Sequence, residues 1–206
     1  MTSASPLTLW TGWDIRGGAS APTDGIDVFA STPSAAGEAR YALLAVAARG
    51  FRPPQYLSVR GLPSSFEDED RAAPSIGPLR QTWSLEYRQV VETAPADVVP
   101  HAIYLLGVNP PDGATDKELE VFNDFYTNVH LPEVARRRHA LRAVRFELVQ
   151  ALKPPYQGAP RFLAVYEVDE AGASNRRHVG PGYSPGPEVW QQHTTPWRLW
   201  YRRLTS

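Results

Sequence analysis

The amino-acid sequence predicts an α+β protein made of two tandem βαββαβ units, of which the first is degenerate. Residues 82–90 (TWSLEYRQV) and residues 196–204 (PWRLWYRRL) lie far apart in the chain and share the pattern Trp-x-Leu-x-Tyr-Arg. Because side chains alternate between the two faces of a strand, this spacing places Trp, Leu and Tyr on one face. The recurrence of one amphipathic strand indicates an internal duplication.

Two further pairs of segments favour the same duplication. Residues 38–46 (EARYALLAV) resemble residues 159–168 (APRFLAVYEV), and residues 7–15 (LTLWTGWDI) resemble residues 101–109 (HAIYLLGVN) more weakly. Each segment is typical of a strand. The pairs occur in the same order in both halves, so we expect one structural unit to be repeated along the chain.

The second half begins with a strand and a well-marked helix. The strand ends near Val108 and is followed by the turn sequence NPPDG. Thr115 and Glu118 have the spacing of a capping box, which predicts a helix that begins near Asp116. Pro132 then ends the helix or starts a new one. The apolar residues share one face of this helix: Leu119, Phe122, Phe125, Tyr126 and Val129.

Three more elements complete the second unit. A strand at residues 143–150 (AVRFELVQ) places Val144 and Phe146 on one face and Arg145 on the other. After the strand RFLAVYEV comes a Gly/Pro-rich segment from 178 to 190, whose composition is typical of a lid or a surface loop, and a short helix around 187–193. With the final strand, the order is βαββαβ, the ferredoxin-like unit.

The first half fits this order less well. Residues 25–31 (GIDVFAS) are predicted as its second strand and residues 40–47 (RYALLAVA) as its third. The intervening residues 16–24 (RGGASAPTD) are too few for a helix, so the first unit is expected to lack one. In an alternative interpretation, residues 33–49 form a helix that Gly50 ends. The acidic segment 64–77 is expected to be a loop.

Composition excludes several functional classes. Lys plus Arg (21) nearly balances Asp plus Glu (22), so neither nucleic acid nor an anionic membrane is an expected partner. The basic run at residues 136–139 (RRRH) is interpreted as a solvated helix end. The chain has no cysteine, which excludes thiolate catalysis and cysteine-ligated metals. Without a targeting segment or a long apolar run, a soluble cytoplasmic protein is expected.

The segment FNDFYTNVHLPEV, residues 122–134, resembles a pattern of the EthD-like group of the dimeric α/β-barrel superfamily. The shared features are an aromatic-Tyr pair, an acidic side chain and His-x-Pro, and PRFLAVYEV and PWRLWYRRL resemble later strands of that group. The resemblance covers residues 101–206, whereas the first half has no His-x-Pro. It implies an α/β barrel closed by two ferredoxin-like sheets around a small molecule, with units at 1–96 and 97–206.

The resemblance implies catalytic roles for His130, Tyr126 and Asp124. His130 follows Tyr126 by one helical turn and is expected to face the sheet, where an imidazole can transfer a proton at neutral pH. It can instead serve structurally, by bonding a carbonyl that Pro132 leaves free. Asp124 lies on the opposite side of the helix, as a solvated carboxylate would. No histidine precedes His101, so a single site per chain is expected.

Aromatic side chains are the candidate binding groups for a flat apolar substrate. Trp10 and Trp13 are three residues apart, so only one of them can point into the barrel. His101, at the start of its strand, is expected near a barrel mouth or else as a linker residue. The candidate substrate-binding residues are Trp13, His101, Tyr104, Phe125, Tyr166 and Trp197.

The sequence therefore favours a cofactor-independent enzyme that acts on a small apolar aromatic or polyketide-like molecule by general acid/base proton transfer, as a cyclase, isomerase or lyase. No metal-binding spacing and no nucleotide-binding loop occurs, so no cofactor is expected. The alternatives are a non-catalytic accessory protein that binds such a molecule, or a haem-binding or cofactor-free monooxygenase of the same superfamily. Either the segment 53–77 or a second chain, in a homodimer, would cover the sheet face that a missing first helix exposes.

Overall fold

A computed structural model describes residues 6–15, 27, 29–31, 37–46, 51–62, 77–94, 99–175 and 182–205. Its strands are β1 (Leu7–Ile15), β2 (Ala39–Val46), β3 (Tyr56–Leu62), β4 (Leu79–Glu92), β5 (Ala102–Asn109), β6 (Arg142–Lys153), β7 (Phe162–Val168) and β8 (Thr194–Arg203). The helices of its second half are α1 (Asp116–Phe125), a π-helical turn (Tyr126–His130), α2 (Leu131–Arg137), α3 (Glu170–Ser174) and α4 (Glu188–Gln191).

The strands form one closed antiparallel barrel in the order β1-β3-β2-β8-β5-β7-β6-β4. The first four strands are adjacent in the order β4-β1-β3-β2, and the last four in the corresponding order β8-β5-β7-β6. The halves join edge to edge through β2 with β8 and through β4 with β6. The α+β barrel predicted from the sequence is thus confirmed at the level of fold class.

The interior of the barrel is an aromatic and aliphatic core. Each Trp-x-Leu-x-Tyr strand points all three side chains inward, as the period-2 pattern predicts. Trp83 and Trp197 stack with ring centroids 4.7 Å apart at one end of the barrel, and Phe51 stacks on Trp197 at 5.6 Å. We call this end, defined by Phe51, Trp83 and Trp197, the tryptophan end.

Glycine is required where β1 and β5 pass the tryptophan end. A Cβ at Gly12 would lie 2.6 Å from Cγ of Pro54, and a Cβ at Gly107 would lie 2.7 Å from Cγ of Pro160. Real Cβ atoms do not approach other atoms so closely, so only glycine lets the two prolines pack against these strands.

Two outer layers pack against the barrel from outside. In the second half, α1, the π-helical turn, α2 and α4 cover the outward side chains of β5 and β7. In the first half, Asp27 and residues 29–31 are helical, and the fully buried Phe29 packs against Trp13, Tyr56 and their neighbours. Among the described residues, no helix combines the length and the apolar character needed to cross a membrane.

The structure corrects several predictions for the first half. Of the predicted strand 25–31, the described residues are helical, so the prediction that this half lacks a helix is wrong. The alternative helix at 33–49 is also wrong, because residues 39–46 form β2, and the third strand is the unpredicted β3. By position in the barrel, β2 corresponds to β6 rather than to the segment 159–168. Residues 16–24 and most of the acidic segment lie outside the described residues.

The second half follows the prediction closely. Thr115 caps α1, and Thr115 and Glu118 form the reciprocal bonds of a capping box. Pro132 lies in the first turn of α2, where the missing N–H is tolerated. The basic run is not simply solvated: the guanidinium of Arg138 lies 4.3 Å from the centroid of the Tyr104 ring.

Candidate functional site

The helix that carries His130 changes pitch just before the histidine. The N–H of Leu131 donates to the carbonyl of Tyr126, five residues earlier, which makes residues 126–130 a π-helical turn. The wider turn rotates the side chains that follow, so His130 is 9% exposed whereas Val129 is 40% exposed. Val129 therefore does not share the apolar face as predicted, and His130 takes the inward position.

His130 lies in the layer between the helices and the outer face of the barrel, not in the barrel interior. Its ring centroid is 4.5 Å from that of Trp190, 5.5 Å from that of Tyr183 and 5.9 Å from that of Tyr126. We call this region the His130 layer. It consists of seven side chains: Tyr104, Phe125, Tyr126, His130, Tyr166, Tyr183 and Trp190.

Burial sets the protonation state of His130. Removal from water lowers its pKa to about 4, helped by His193 nearby and opposed by the carboxylate of Glu133. The imidazole is therefore neutral at pH 7. A neutral imidazole can accept a proton at one nitrogen, as the predicted proton transfer by His130 requires.

Three buried polar atoms of this layer have no hydrogen-bond partner among the described residues: His130 Nδ1, Tyr126 Oη and Tyr166 Oη. Burial raises the pKa of both tyrosines, so they keep their protons at neutral pH. Both tyrosine side chains are fully buried in the cluster that packs between the helices and the barrel. Since buried polar groups are almost always bonded, unpartnered atoms grouped in one layer indicate capacity for a ligand or for water.

Arg145 supports the layer from the side of the barrel wall. The side chain is 1% exposed, and its guanidinium lies 4.4 Å from the Tyr126 ring centroid. It donates to Oγ1 of Thr127 at 2.8 Å and to Oδ1 of Asn123 at 2.5 Å, residues on either side of the start of the π-helical turn. Burial lowers the pKa of this arginine to about 10, so it stays charged. The sequence predicted its outward face but not this role.

Residues 182–187 cover the layer. Arg137 donates to the carbonyl of Gly182, and the N–H of Ser184 donates to Oε2 of Glu133 at 3.0 Å, which lowers the pKa of that carboxyl. Gly186 has a φ of 71°, and a Cβ there would lie 2.6 Å from ring carbons of Phe125 and Trp190. Only glycine lets this segment press onto the aromatic rings. The predicted lid is thus described in part, since residues 178–181 lie outside the described residues.

The structure brings together five of the nine predicted site residues and separates the others. His130, Tyr126, Phe125, Tyr104 and Tyr166 all belong to the His130 layer. The remaining four lie elsewhere: Asp124 is exposed and accepts a bond from Nδ2 of Asn128 at 2.7 Å, His101 is exposed, Trp13 packs beside Phe29, and Trp197 lies inside the barrel.

Sequence reasoning did not assign Tyr183 and Trp190 to the site. Both belong to the Gly/Pro-rich segment that the sequence marks as a possible lid, and an aromatic residue between closely spaced glycines and prolines was the available signal. Within the described ranges, no group of three or more His, Asp or Glu side chains is arranged to hold a metal ion.

The wall of the site is formed by strands that also face the barrel interior. On β7, Tyr166 points into the His130 layer while the neighbouring Val165 points into the barrel core. The site is therefore separated from the barrel interior by one sheet thickness. In comparisons with known proteins, no family model and no curated protein matches this chain.

Proposed function

We propose that this chain consists of two tandem ferredoxin-like units, at 1–96 and 97–206, and is an EthD-like member of the dimeric α/β-barrel superfamily. Supporting this proposal, the strand order of the first four strands recurs in the last four. The contacts recur as well, because Tyr87 donates to the carbonyl of Pro160 and Tyr201 to the carbonyl of Pro54, both at 2.9 Å. Such reciprocal contacts are expected of a pseudo-two-fold axis.

We further propose that the protein is a cofactor-independent enzyme that acts on a small apolar aromatic or polyketide-like molecule by general acid/base proton transfer. The observation that supports this most directly is the trio of unpartnered buried atoms, His130 Nδ1, Tyr126 Oη and Tyr166 Oη, within an aromatic layer. Aromatic walls suit a flat apolar substrate, and a few convergent polar groups orient it.

The three groups have complementary roles in this proposal. His130, neutral at pH 7, takes a proton from an activated carbon of the substrate. The electron pair of the broken C–H bond moves to an adjacent carbonyl oxygen, which forms an enolate. Tyr126 and Tyr166, held protonated by burial, donate hydrogen bonds to that oxygen. In an isomerisation, the imidazolium returns the proton to another carbon as the carbonyl re-forms. In an aldol cyclisation, the enolate carbon attacks a second carbonyl of the substrate and the imidazolium protonates the resulting alkoxide, whereas in an elimination the enolate expels a β-hydroxyl group, which takes that proton and leaves as water.

The second candidate function is a binding protein without catalysis. It is supported by the low pKa of His130, since a group with a pKa of about 4 is a weak base at neutral pH. The same aromatic layer would hold a ligand equally well. Binding and turnover therefore have to be measured separately.

The test uses 2-tetralone, a flat bicyclic ketone whose CH₂ between ring and carbonyl is acidic. In D₂O, NMR reports exchange of these protons, and quenching of tryptophan fluorescence reports binding. We expect the full chain to accelerate exchange above the buffer rate with about one binding site per chain. His130→Gln should lower the exchange rate about 10²-fold or more while binding persists, the usual scale for losing a general base.

The control variants are His101→Gln and Asp124→Asn. Both residues are exposed and lie outside the His130 layer, so both variants should exchange protons at the parent rate. Binding without accelerated exchange in the parent would favour the binding protein. Equal exchange in the parent and in His130→Gln would refute His130 as the base.

A further inference from the structure

A cavity lies inside the barrel, at the end opposite the tryptophan end. Its volume is about 320 Å³, and its walls are the starts of β1, β2, β5 and β6 and the ends of β3, β4, β7 and β8. Trp10, Ile103, Val144, Phe146 and Val165 supply apolar wall. The cavity is separate from the His130 layer, because it occupies the other face of β5 and β7.

Among the residues that the structure describes, three charged side chains line this cavity: Arg142, Glu167 and Arg203. Arg142 is already engaged, with Nη2 2.5 Å from Oε2 of Glu92 and Nη1 3.6 Å from Oε1 of Glu167. Arg203 lies opposite Tyr41 in the register of β2 and β8, and its positive charge opposes the rise that burial gives the pKa of the Tyr41 hydroxyl. The lining thus carries two cations and one carboxylate. Glu167 serves both arginines, so its negative charge does not fully balance that of Arg203.

Within the described part of the lining, the charged side chains come from the second half only. All three charged residues belong to the second half, whereas the first half contributes Thr8, Ala39, Gly61 and Gln89 to the same rim. Gly61 on β3 and Glu167 on β7 occupy corresponding positions in the two halves, because Gly61 lies opposite Thr8 on β1 and Glu167 lies opposite Ile103 on β5. The first half thus has a glycine where the second half has a carboxylate. The cavity is therefore polar at one wall of its mouth and apolar below.

We propose that this cavity binds a small amphipathic carboxylate. Its carboxylate would pair with the guanidinium of Arg203, a charge-assisted contact that arginine makes well. Its apolar chain would lie against Trp10 and Phe146 inside the barrel, where burial of apolar surface is favourable. At about 30 Å³ per small group, the cavity holds about ten non-hydrogen atoms, the size of octanoate.

Calorimetric titration of the full chain with octanoate, and with 1-octanol as the neutral analogue, tests this proposal. Arg203→Gln should weaken octanoate binding about 10-fold or more and leave 1-octanol binding unchanged, because the loss is that of a charge-assisted hydrogen bond. Arg202→Gln is the matched control, since Arg202 is the exposed neighbour on the same strand. It should bind both probes as the parent does.

Gly61→Leu tests the location. A Cβ at Gly61 meets no atom within 4 Å, so the larger side chain can enter the cavity without displacing its walls. This variant should lose binding of both probes at an unchanged melting temperature. The proposal is overturned if the parent does not bind octanoate, if Gly61→Leu binds both probes like the parent, or if Arg203→Gln weakens the two probes equally. Exchange of 2-tetralone protons should be unchanged in all these variants, so the outcome is independent of the proposed function at His130.

Discussion

The barrel interior and the His130 layer are both rich in aromatic residues, yet they treat tyrosine hydroxyls differently. Inside the barrel, Tyr87 and Tyr201 each donate to a proline carbonyl at 2.9 Å. In the His130 layer, the hydroxyls of Tyr126 and Tyr166 have no partner among the described residues. The comparison teaches that the hydroxyls of the interior tyrosines stabilise the barrel, whereas those of the outer layer keep their hydrogen-bonding capacity free, as does Nε1 of Trp197 at the tryptophan end.

The largest expected effect tests the structural side of this comparison. Trp197→Ala should lower the free energy of unfolding by about 3–5 kcal/mol, because it removes a buried ring that stacks on Trp83 and leaves a cavity. Urea unfolding measures the loss, with Val149→Ala on the exposed surface as the control. Below the urea transition, 2-tetralone exchange per folded molecule should equal that of the parent. A selective loss of exchange would place Trp197 in the site after all.

An intermediate effect concerns pH. The pKa of His130 falls from its ordinary 6.5 to about 4 on folding, so between these values the unfolded chain binds more protons. The contribution of neutral, buried His130 to the free energy of unfolding is complete above pH 6.5 and is lost as the pH falls toward 4. His130 should contribute about 2–3 kcal/mol to the fall in unfolding free energy between pH 7.5 and pH 4.5.

His130→Gln provides the difference measurement. Its unfolding free energy should fall less steeply over the same pH interval, while titrating groups that do not interact with His130 affect parent and variant alike. Urea titrations at several pH values give both slopes. Identical slopes would mean that His130 is not buried as a neutral group.

The smallest effect separates the two sets of tyrosines directly. Tyr87→Phe or Tyr201→Phe leaves a buried proline carbonyl without its donor and should cost about 1–3 kcal/mol. Tyr126→Phe or Tyr166→Phe removes a hydroxyl that has no protein partner and should leave stability within about 0.5 kcal/mol of the parent, while slowing 2-tetralone exchange. Equal costs for both sets would show that the outer hydroxyls are structural.

Elements with local signals could be predicted from the sequence. The capping box of Thr115 and Glu118 is contained within four residues, and it marked the start of α1 correctly. The Trp-x-Leu-x-Tyr strands could be predicted because each buries one complete face in the barrel. Both cases depend on interactions, or on a periodicity, that a short window of sequence contains.

The elements of the first half were mispredicted where the local sequence pattern is weak or conflicts with contacts formed by distant residues. Residues 25–31 combine Ile, Val and Phe, which favour a strand, yet Phe29 is buried in a helical segment against Trp13 and Tyr56. β3 was missed because Ser58, Arg60 and Gly61 interrupt its apolar pattern. In both cases distant contacts in the sheet override local preference.

The sequence could predict several residues of the candidate site but not its location outside the barrel. Residue spacing placed His130 toward a sheet, but spacing cannot say which face of a closed barrel that is. The π-helical turn, which buries His130 and exposes Val129, has no sequence signature beyond the following Pro132. Arg142, Glu167 and Arg203 lie on three different strands and come together only when the sheet β8-β5-β7-β6 forms, so nothing local predicts their cavity.

Closure of the barrel also governs when folding can finish. β8 pairs with β2 on one side and with β5 on the other. The edges of β2 and β5 therefore stay unpaired until residues 194–203 have been synthesised. Pairings between such distant segments form slowly, and an unpaired strand edge can recruit other chains. A nascent chain that stops before β8 is therefore expected to be the most aggregation-prone form of this protein.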